Sequence, residues 1–391
     1  MFTTILAMIF VLGVLVFIHE LGHFIAARSI GVKVEEFSVG FPPKLISFTP
    51  SESGIIFKFY FFGKDEKGKI KWKPIFESKI NSKKYSTSTE YSLSIIPLGG
   101  YVKVAGFIDE SFDANVTGAS DELNSKTKLQ QIWFMSGGII MNILLAIIFF
   151  SGITMIQGIS VQNDEPIIRQ VSIGYPADLA GIKSGDRILE VENVSIDKWS
   201  EATTIIKENV DGDIQIKWIS DEVIKTALIP TKEAKVPDGN EIKEIRIIGV
   251  QGGFEIRKAN FFESIYSGFD KTIFWLKMIV QSLAMIFSGN ASFNDIGGPI
   301  LIAQLAGDSA RAGIISLLSF TAIISVNLAF MNLLPIPGLD GGHILLTSLE
   351  FITRRSISTK VKMFIQQIGV ALLLLLMALV MINDISRLFS G

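Results

Sequence analysis

Four apolar stretches, each close to the length needed to cross a bilayer, set the frame for this chain. They run from about Phe2 to Ala27, Ile132 to Ile159, Ala312 to Leu334 and Val361 to Ile382. About 20 consecutive apolar residues span the hydrocarbon core as a helix. In lipid each backbone N–H and C=O must be satisfied inside its own segment, so such stretches fold as helices. The expected class is an α-helical polytopic membrane protein with about four transmembrane helices. A hydrophobic content of 49% over 391 residues agrees with it. The first stretch could be a cleaved signal peptide. However, no Lys or Arg precedes Arg28, and the stretch ends in His, Glu and Arg instead of small residues, so an uncleaved span is expected.

Basic residues near the span ends predict the orientation. Arg28 and Lys33 follow the first span, Lys126 and Lys128 precede the second, and Arg354, Arg355, Lys360 and Lys362 lie between the third and fourth. The positive-inside tendency then puts both termini outside, with the loop from Val161 to about Asn260. It puts Ile55 to Gln130 inside. For a bacterium this means a multi-pass protein of the cytoplasmic (inner) membrane, with its large loop on the periplasmic side. The sequence divides into 1–30, the first span; 31–131, a membrane-associated β-region and surface segment; 132–160, the second span; 161–258, a soluble domain; 259–311, an amphipathic and connecting segment; 312–350, the third span; and 351–391, the fourth.

The β-region rests on Ile55 to Phe62 and Leu93 to Val104, both rich in β-branched and aromatic residues. The polar stretch Glu77 to Glu90 separates them, and two strands that could form a hairpin are expected. Ile108 to Gln130 is polar and reads as surface. In the outer loop, Pro176 and Ala177 open a helical turn that Gly181 closes. Ile188, Leu189 and Val191 form a strand, Trp199 to Asn209 a helix, and Asp211 to Ile219 an alternating strand. This order resembles a PDZ domain, so the loop is expected to be an inserted α+β PDZ-like domain. Such domains bind extended peptides at a strand edge. Phe261 to Ser288 is apolar but carries Glu263, Asp270, Lys271, Lys277 and Gln281, the pattern of an amphipathic helix on the membrane surface.

The chain has no cysteine, which excludes disulfides, thiolate catalysis and cysteine metal sites. Only three histidines exist, His19, His23 and His343. His19-Glu20-Leu21-Gly22-His23 is an HExxH pattern at the end of the first span. Residues four apart share a helix face, so both imidazoles can hold one zinc ion, with Glu20 beside them to accept a proton from water. Ionisable residues in a membrane span are expensive and point to function. A catalytic zinc takes three protein ligands and keeps one position open. Asn332 to His343 (NLLPIPGLDGGH) ends the third span, and its prolines and glycines break the helix as backbone around a buried site does. Asp340 and His343 are the candidate third ligands. A carboxylate leaves less charge at membrane depth than a third imidazole, which favours Asp340.

HELGH ending the first span, the PDZ-like loop and NLLPIPGLDGG ending the third together resemble the site-2 protease family of intramembrane zinc metalloproteases, in its bacterial RseP-type form. The resemblance covers nearly the whole chain. It implies Zn2+ on His19, His23 and Asp340, catalysis by Glu20, and a substrate-binding role for Asn332. It also implies a membrane-associated β-region. Gly137-Gly138 to Asn142 on the second span looks like the family's glycine-to-asparagine motif, without its usual proline. The loop has room for one PDZ-like domain, not two in tandem. The implied substrates are transmembrane proteins: membrane-anchored signalling proteins such as anti-sigma factors, or leftover signal peptides. The rival readings are a non-catalytic membrane scaffold or chaperone, against which the intact Glu20 argues, and a zinc transporter. A transporter needs polar ligands along a path, and spans two and four are nearly free of them. Nothing suggests nucleic acid.

Overall fold

A computed structural model of the chain describes residues 2–51, 54–64, 70–80, 88–107, 117–209, 212–238, 241–289 and 297–390. It divides into two compact units, one of Met1–Ile153 with Ile265–Gly391, the other of Thr154–Ser264.

The first unit opens with α1 (Phe2–Ser29), which is about 42 Å long at 1.5 Å per residue. Its buried residues, Ala7, Val11, Leu15, His19, Gly22, His23, Ala26 and Ala27, follow a spacing of three and four and form one stripe. The exposed side is apolar as well, with Phe2, Ile5, Leu6, Ile9 and Phe10, as a lipid-facing surface requires.

Four strands follow: β1 (Val34–Ser51), β2 (Gly54–Lys64), β3 (Ile70–Ile80) and β4 (Glu90–Val104). They form one sheet in the order β3-β2-β1-β4. The expected two-strand hairpin is therefore corrected. Ile55 to Phe62 pairs with β1 and β3, and Leu93 to Val104 pairs with β1, so β1 separates the two stretches. Strand β1 tolerates Pro42-Pro43 because its register breaks there, between Val39 and Lys44. Ser38 is aligned with both Tyr101 and Ser92, so the start of β1 lies between two stretches of β4. Residues 81–87 of the polar separator and 108–116 of the surface segment lie outside the described residues. Of the rest of that segment, Leu123 is not surface. It is buried with Ala27, Val32, Val34 and Phe134, and it closes the sheet onto α1 and the next helix.

That helix is α2 (Lys128–Gln157). The second unit then contributes β5 to β14 and two helices. These are β5 (Ile159–Gln162), β6 (Ile168–Val171), α3 (Pro176–Leu179), β7 (Arg187–Val191), β8 (Val194–Ser195), α4 (Trp199–Glu208), β9 (Asp213–Ser220), β10 (Val223–Pro230), β11 (Lys232–Asp238), β12 (Glu241–Ile247), β13 (Val250–Gly252) and β14 (Phe254–Arg257). The turn at Pro176, the Gly181 stop, the strand at Ile188 and the helix from Trp199 sit where the sequence puts them. The strand expected from Asp211 begins at Asp213, and Asp211 itself lies outside the described residues. Ile214, Ile216 and Trp218 alternate into one core with Ile168, Ile188, Val191 and Ile229. Each such side chain, fully buried, stabilises the unit by roughly 1.5–3 kcal/mol.

The first unit resumes with α5 (Phe261–Phe287), whose Trp275 and Ile279 pack on Ala146 and Phe150 of α2. Then come α6 (Pro299–Ala312), α7 (Ile314–Leu333), α8 (Asp340–Thr353) and α9 (Thr359–Ser390). Among the described residues, four helices are long and apolar enough to cross a membrane: α1, α2, α7 and most of α9. Two buried carboxylates brace the later helices. Glu350 on α8 accepts from Lys128 (2.7 Å) and Lys362 (2.8 Å), tying the starts of α2 and α9 together. Asp384 on α9 accepts from the Gly298 and Ile300 amides, both at 2.9 Å, and so caps α6.

Candidate active site

His19 and His23 stand one turn apart on the buried stripe of α1, with Glu20 between them. Helix α1 can meet α2 closely because Gly22 and Gly137 face each other. A Cβ on Gly22 would sit 2.2 Å from the Gly137 carbonyl oxygen. One residue on, a Cβ on Gly138 would lie 2.4–2.6 Å from the His19 ring, so α2 leaves this room for the imidazole.

Asp340 comes from the other end of the chain. Helix α7 stops at Leu333, Leu334 is extended, and α8 restarts at Asp340. The turn is tight. A Cβ on Gly341 would meet the Leu334 carbonyl oxygen at 2.2 Å, which explains why glycine follows the aspartate. Asp340 Oδ2 lies 3.2 Å from His19 Nε2 and 3.5 Å from His23 Nε2, and the two Nε2 atoms are 3.2 Å apart. Oδ2 is buried yet accepts no hydrogen bond, so its approach to the imidazoles is one of distance without bonding angles. A tetrahedral ion with bonds of roughly 2.0–2.1 Å spaces its ligand atoms about 3.3 Å apart. The three atoms match this spacing, and the orphaned carboxylate oxygen has the partner it lacks if a cation sits among them. The donor set of two imidazoles and a carboxylate suits zinc. Among the described residues these three form the one cluster of His, Asp and Glu able to hold a metal ion.

The other ring nitrogens are held from α2. His23 Nδ1 donates to the Phe134 carbonyl at 3.0 Å, and the Asn142 amide lies 3.2 Å from His19 Nδ1. Neither role was legible in the sequence, because each depends on which face of α2 meets α1. The glycine-to-asparagine spacing was the available signal.

Glu20, His23, Asp340 and His343 line a cavity of about 490 Å³ with Tyr101, Val102, Phe107 and Met135. His343, one turn beyond Asp340, sets its ring against Phe107 at 5.1 Å and stands outside the three-residue cluster. Asn332 is half-buried on the last turn of α7 and is not among the residues lining the cavity. Strand β4 forms one wall. Gly100 packs against Val16 and Glu20, and Val102 lines the cavity with Glu20. A charged network runs through this wall, and its Glu36 and Tyr101 themselves line the cavity. Glu36 accepts from Tyr101 (2.7 Å) and Ser92 (2.9 Å) and pairs with Lys44 (2.8 Å), which also binds Glu90 (2.9 Å). Burial opposes the Lys44 charge, but its bonds to Glu36 and Glu90 outweigh that and raise its pKa. Burial likewise opposes the Glu90 charge, and Lys44 more than compensates, holding Glu90 below the ordinary range.

Comparison with known proteins identifies the family. The sequence pattern of the family described as Peptidase family M50 matches residues 7–63 and 60–376. A Clostridium acetobutylicum chain is 33% identical over 384 residues, covering 98% of each chain. The zinc metalloprotease RasP of Bacillus licheniformis is 29% identical over 425 residues, covering 99% of both. The regulator of sigma-W protease RasP of Bacillus subtilis is also 29% identical over 425 residues, with 99% of both covered. With two imidazoles and a carboxylate gathered in one cluster, and with relatives matched from end to end, the chain belongs to peptidase family M50, the site-2 protease family.

Proposed function

We propose that this chain is a zinc metalloprotease that hydrolyses peptide bonds within the transmembrane segments of other membrane proteins. The observation that carries the reading is the meeting of His19, His23 and Asp340, with Glu20, His23 and Asp340 lining one cavity, in a chain whose helices are apolar enough to cross a bilayer. His19 Nε2, His23 Nε2 and Asp340 Oδ2 would hold the ion. When bound, zinc supplies Lewis acidity, which makes water acidic near pH ~7 and polarises a peptide carbonyl. Glu20 takes the proton of the attacking water and returns it to the departing amine. No side chain forms a covalent link to the substrate.

A substrate helix hides its scissile bond, since its backbone groups already bond to each other. It must unwind locally before it reacts. The end of β4 beside Glu20 is an outer strand of its sheet and offers backbone groups for an extended segment to pair with. Asn332 would hold the substrate backbone from the other side. The β-region would work at the membrane surface, and exposed Phe48, Phe61, Phe62 and Phe76 support that placement. The unit around 161–258 would act as a single PDZ-like domain that binds extended peptides, supported by its order of turn, strand and helix. A relative named regulator of sigma-W protease supports anti-sigma-type membrane proteins as substrates. Leftover signal peptides are a second class.

The test is direct. The purified chain in detergent, mixed with a labelled single-span substrate, should cut inside the apolar segment. A chelator should stop it and added zinc should restore it. Cutting that persists after the metal is stripped, or that falls only outside the apolar segment, would sink the reading.

The proposed orientation places both termini and the 161–258 unit on the outer face of the bacterial inner membrane, with 55–130 on the cytoplasmic side. Because the chain lacks cysteine, a single Ser195→Cys variant reports its own location. An impermeant thiol reagent should label it from the periplasm. Labelling only from the cytoplasmic side would reverse the orientation.

A further inference from the structure

We infer that Asn142 is a positioning residue that fixes the tautomer of His19 and so aims its Nε2 at the metal; the inference rests on the zinc reading proposed above. Asn142 is fully buried on α2, four residues after Gly138, and so on the same helix face. Gly138 leaves room for the His19 ring, and the Asn142 amide meets the ring's Nδ1 at 3.2 Å. The backbone of Asn142 is held in turn, because Ser325 on α7 donates to its carbonyl at 2.7 Å and is itself fully buried. The backbone that carries the amide is therefore held by a second span.

The amide as it lies faces Nδ1 with its nitrogen and leaves Oδ1 buried without a partner. Nδ2 can only donate, which obliges Nδ1 to accept and puts the ring proton on Nε2. A proton there blocks metal ligation. For Nε2 to offer a lone pair, the proton must sit on Nδ1, and Nδ1 then needs an acceptor. Half a turn of the amide supplies it. Oδ1 comes to face Nδ1–H, and the orphaned oxygen gains its bond at the same moment. His23 shows the same arrangement already made, since its Nδ1 faces the Phe134 carbonyl, which can only accept. Helix α2 thus supplies one acceptor to each imidazole, eight residues apart on α2 for histidines four apart on α1.

The chain and two variants of it, Asn142→Asp and Asn142→Leu, test this. Aspartate keeps the size and can only accept, so it enforces the Nδ1–H form. Leucine keeps the bulk and removes the acceptor. Zinc affinity, measured by competition with a fluorescent chelator, should fall about 10–100-fold in Asn142→Leu, the range for loss of an outer hydrogen-bond partner. In Asn142→Asp it should stay at or above wild type. With only three histidines in the chain, 15N-histidine labelling gives a second readout that needs no activity. The zinc-loaded wild type should show His19 protonated at Nδ1. Unchanged affinity in Asn142→Leu, loss in Asn142→Asp equal to that in Asn142→Leu, or a wild-type His19 protonated at Nε2 when loaded would each overturn the inference. If Asn142→Leu fails to fold, the Asp variant and the wild-type spectrum decide alone. A wild type that binds no zinc would instead sink the metalloprotease reading.

Discussion

Replacing Glu20 by Gln should slow cleavage of a transmembrane substrate by about 10²–10⁴-fold, the range for losing a positioned general base, while zinc binding stays intact. Glutamine matches glutamate in size and keeps the same packing beside Gly100, so the β4 wall of the cavity has no reason to move. The three atoms that would hold the metal belong to His19, His23 and Asp340, and none depends on the Glu20 charge for its position. What glutamine cannot do is take a proton from water at neutral pH. The prediction therefore separates chemistry from architecture. Metal content per purified chain and single-turnover cleavage of a labelled substrate are the two measurements. A variant that cuts at near the wild-type rate would remove Glu20 from the mechanism. A wild type and variant that bind substrate alike and cut not at all would favour the scaffold reading over the protease one.

The parts of this molecule that were legible in the sequence are those whose signal is local. A span is readable from the length of its apolar run, and HELGH from a spacing that puts two imidazoles on one helix face. The break at Leu334-Pro335 announced where α7 ends. Signals that depend on a distant partner were not readable. Strand β1 was hidden because Pro42 and Pro43 argue against a strand, and only its alignment with two stretches of β4 shows how they are accommodated. Strand β3 was hidden by Lys71, Lys73 and Lys79, which look like loop residues until Phe61, Phe62 and Ile56 are seen opposite Lys73, Trp72 and Lys79. Helix α6, which opens on Pro299 after Gly297-Gly298, lies in what the sequence offers only as a connecting segment. Its start is capped by Asp384, 86 residues beyond Gly298 in the chain. Asn142 belongs to the same group. Its motif was visible, but its meeting with His19 depends on how α1 and α2 face one another.

The choice between Asp340 and His343 as third ligand carries the second large effect. Asp340→Ala should lower zinc affinity by more than the ~10–100-fold attached to losing an outer partner, because it removes a ligand itself. His343→Ala should leave zinc content near that of the unaltered chain. Geometry and charge agree on this. Asp340 Oδ2 stands within 3.2–3.5 Å of both Nε2 atoms, whereas His343 turns its ring to Phe107 and lies outside the cluster. Two neutral imidazoles and one carboxylate around Zn2+ leave one net positive charge. Three imidazoles would leave two, and charge is poorly solvated among apolar helices. His343 still lines the cavity, so its loss should alter how substrate sits before it alters metal binding. The discriminating pattern is therefore a raised KM with full zinc in His343→Ala, against loss of both zinc and activity in Asp340→Ala. Metal analysis of the two purified variants, read beside circular dichroism to confirm that both are folded, decides between them. Full zinc in folded Asp340→Ala together with loss in folded His343→Ala would reverse the assignment and place the histidine in the metal's coordination.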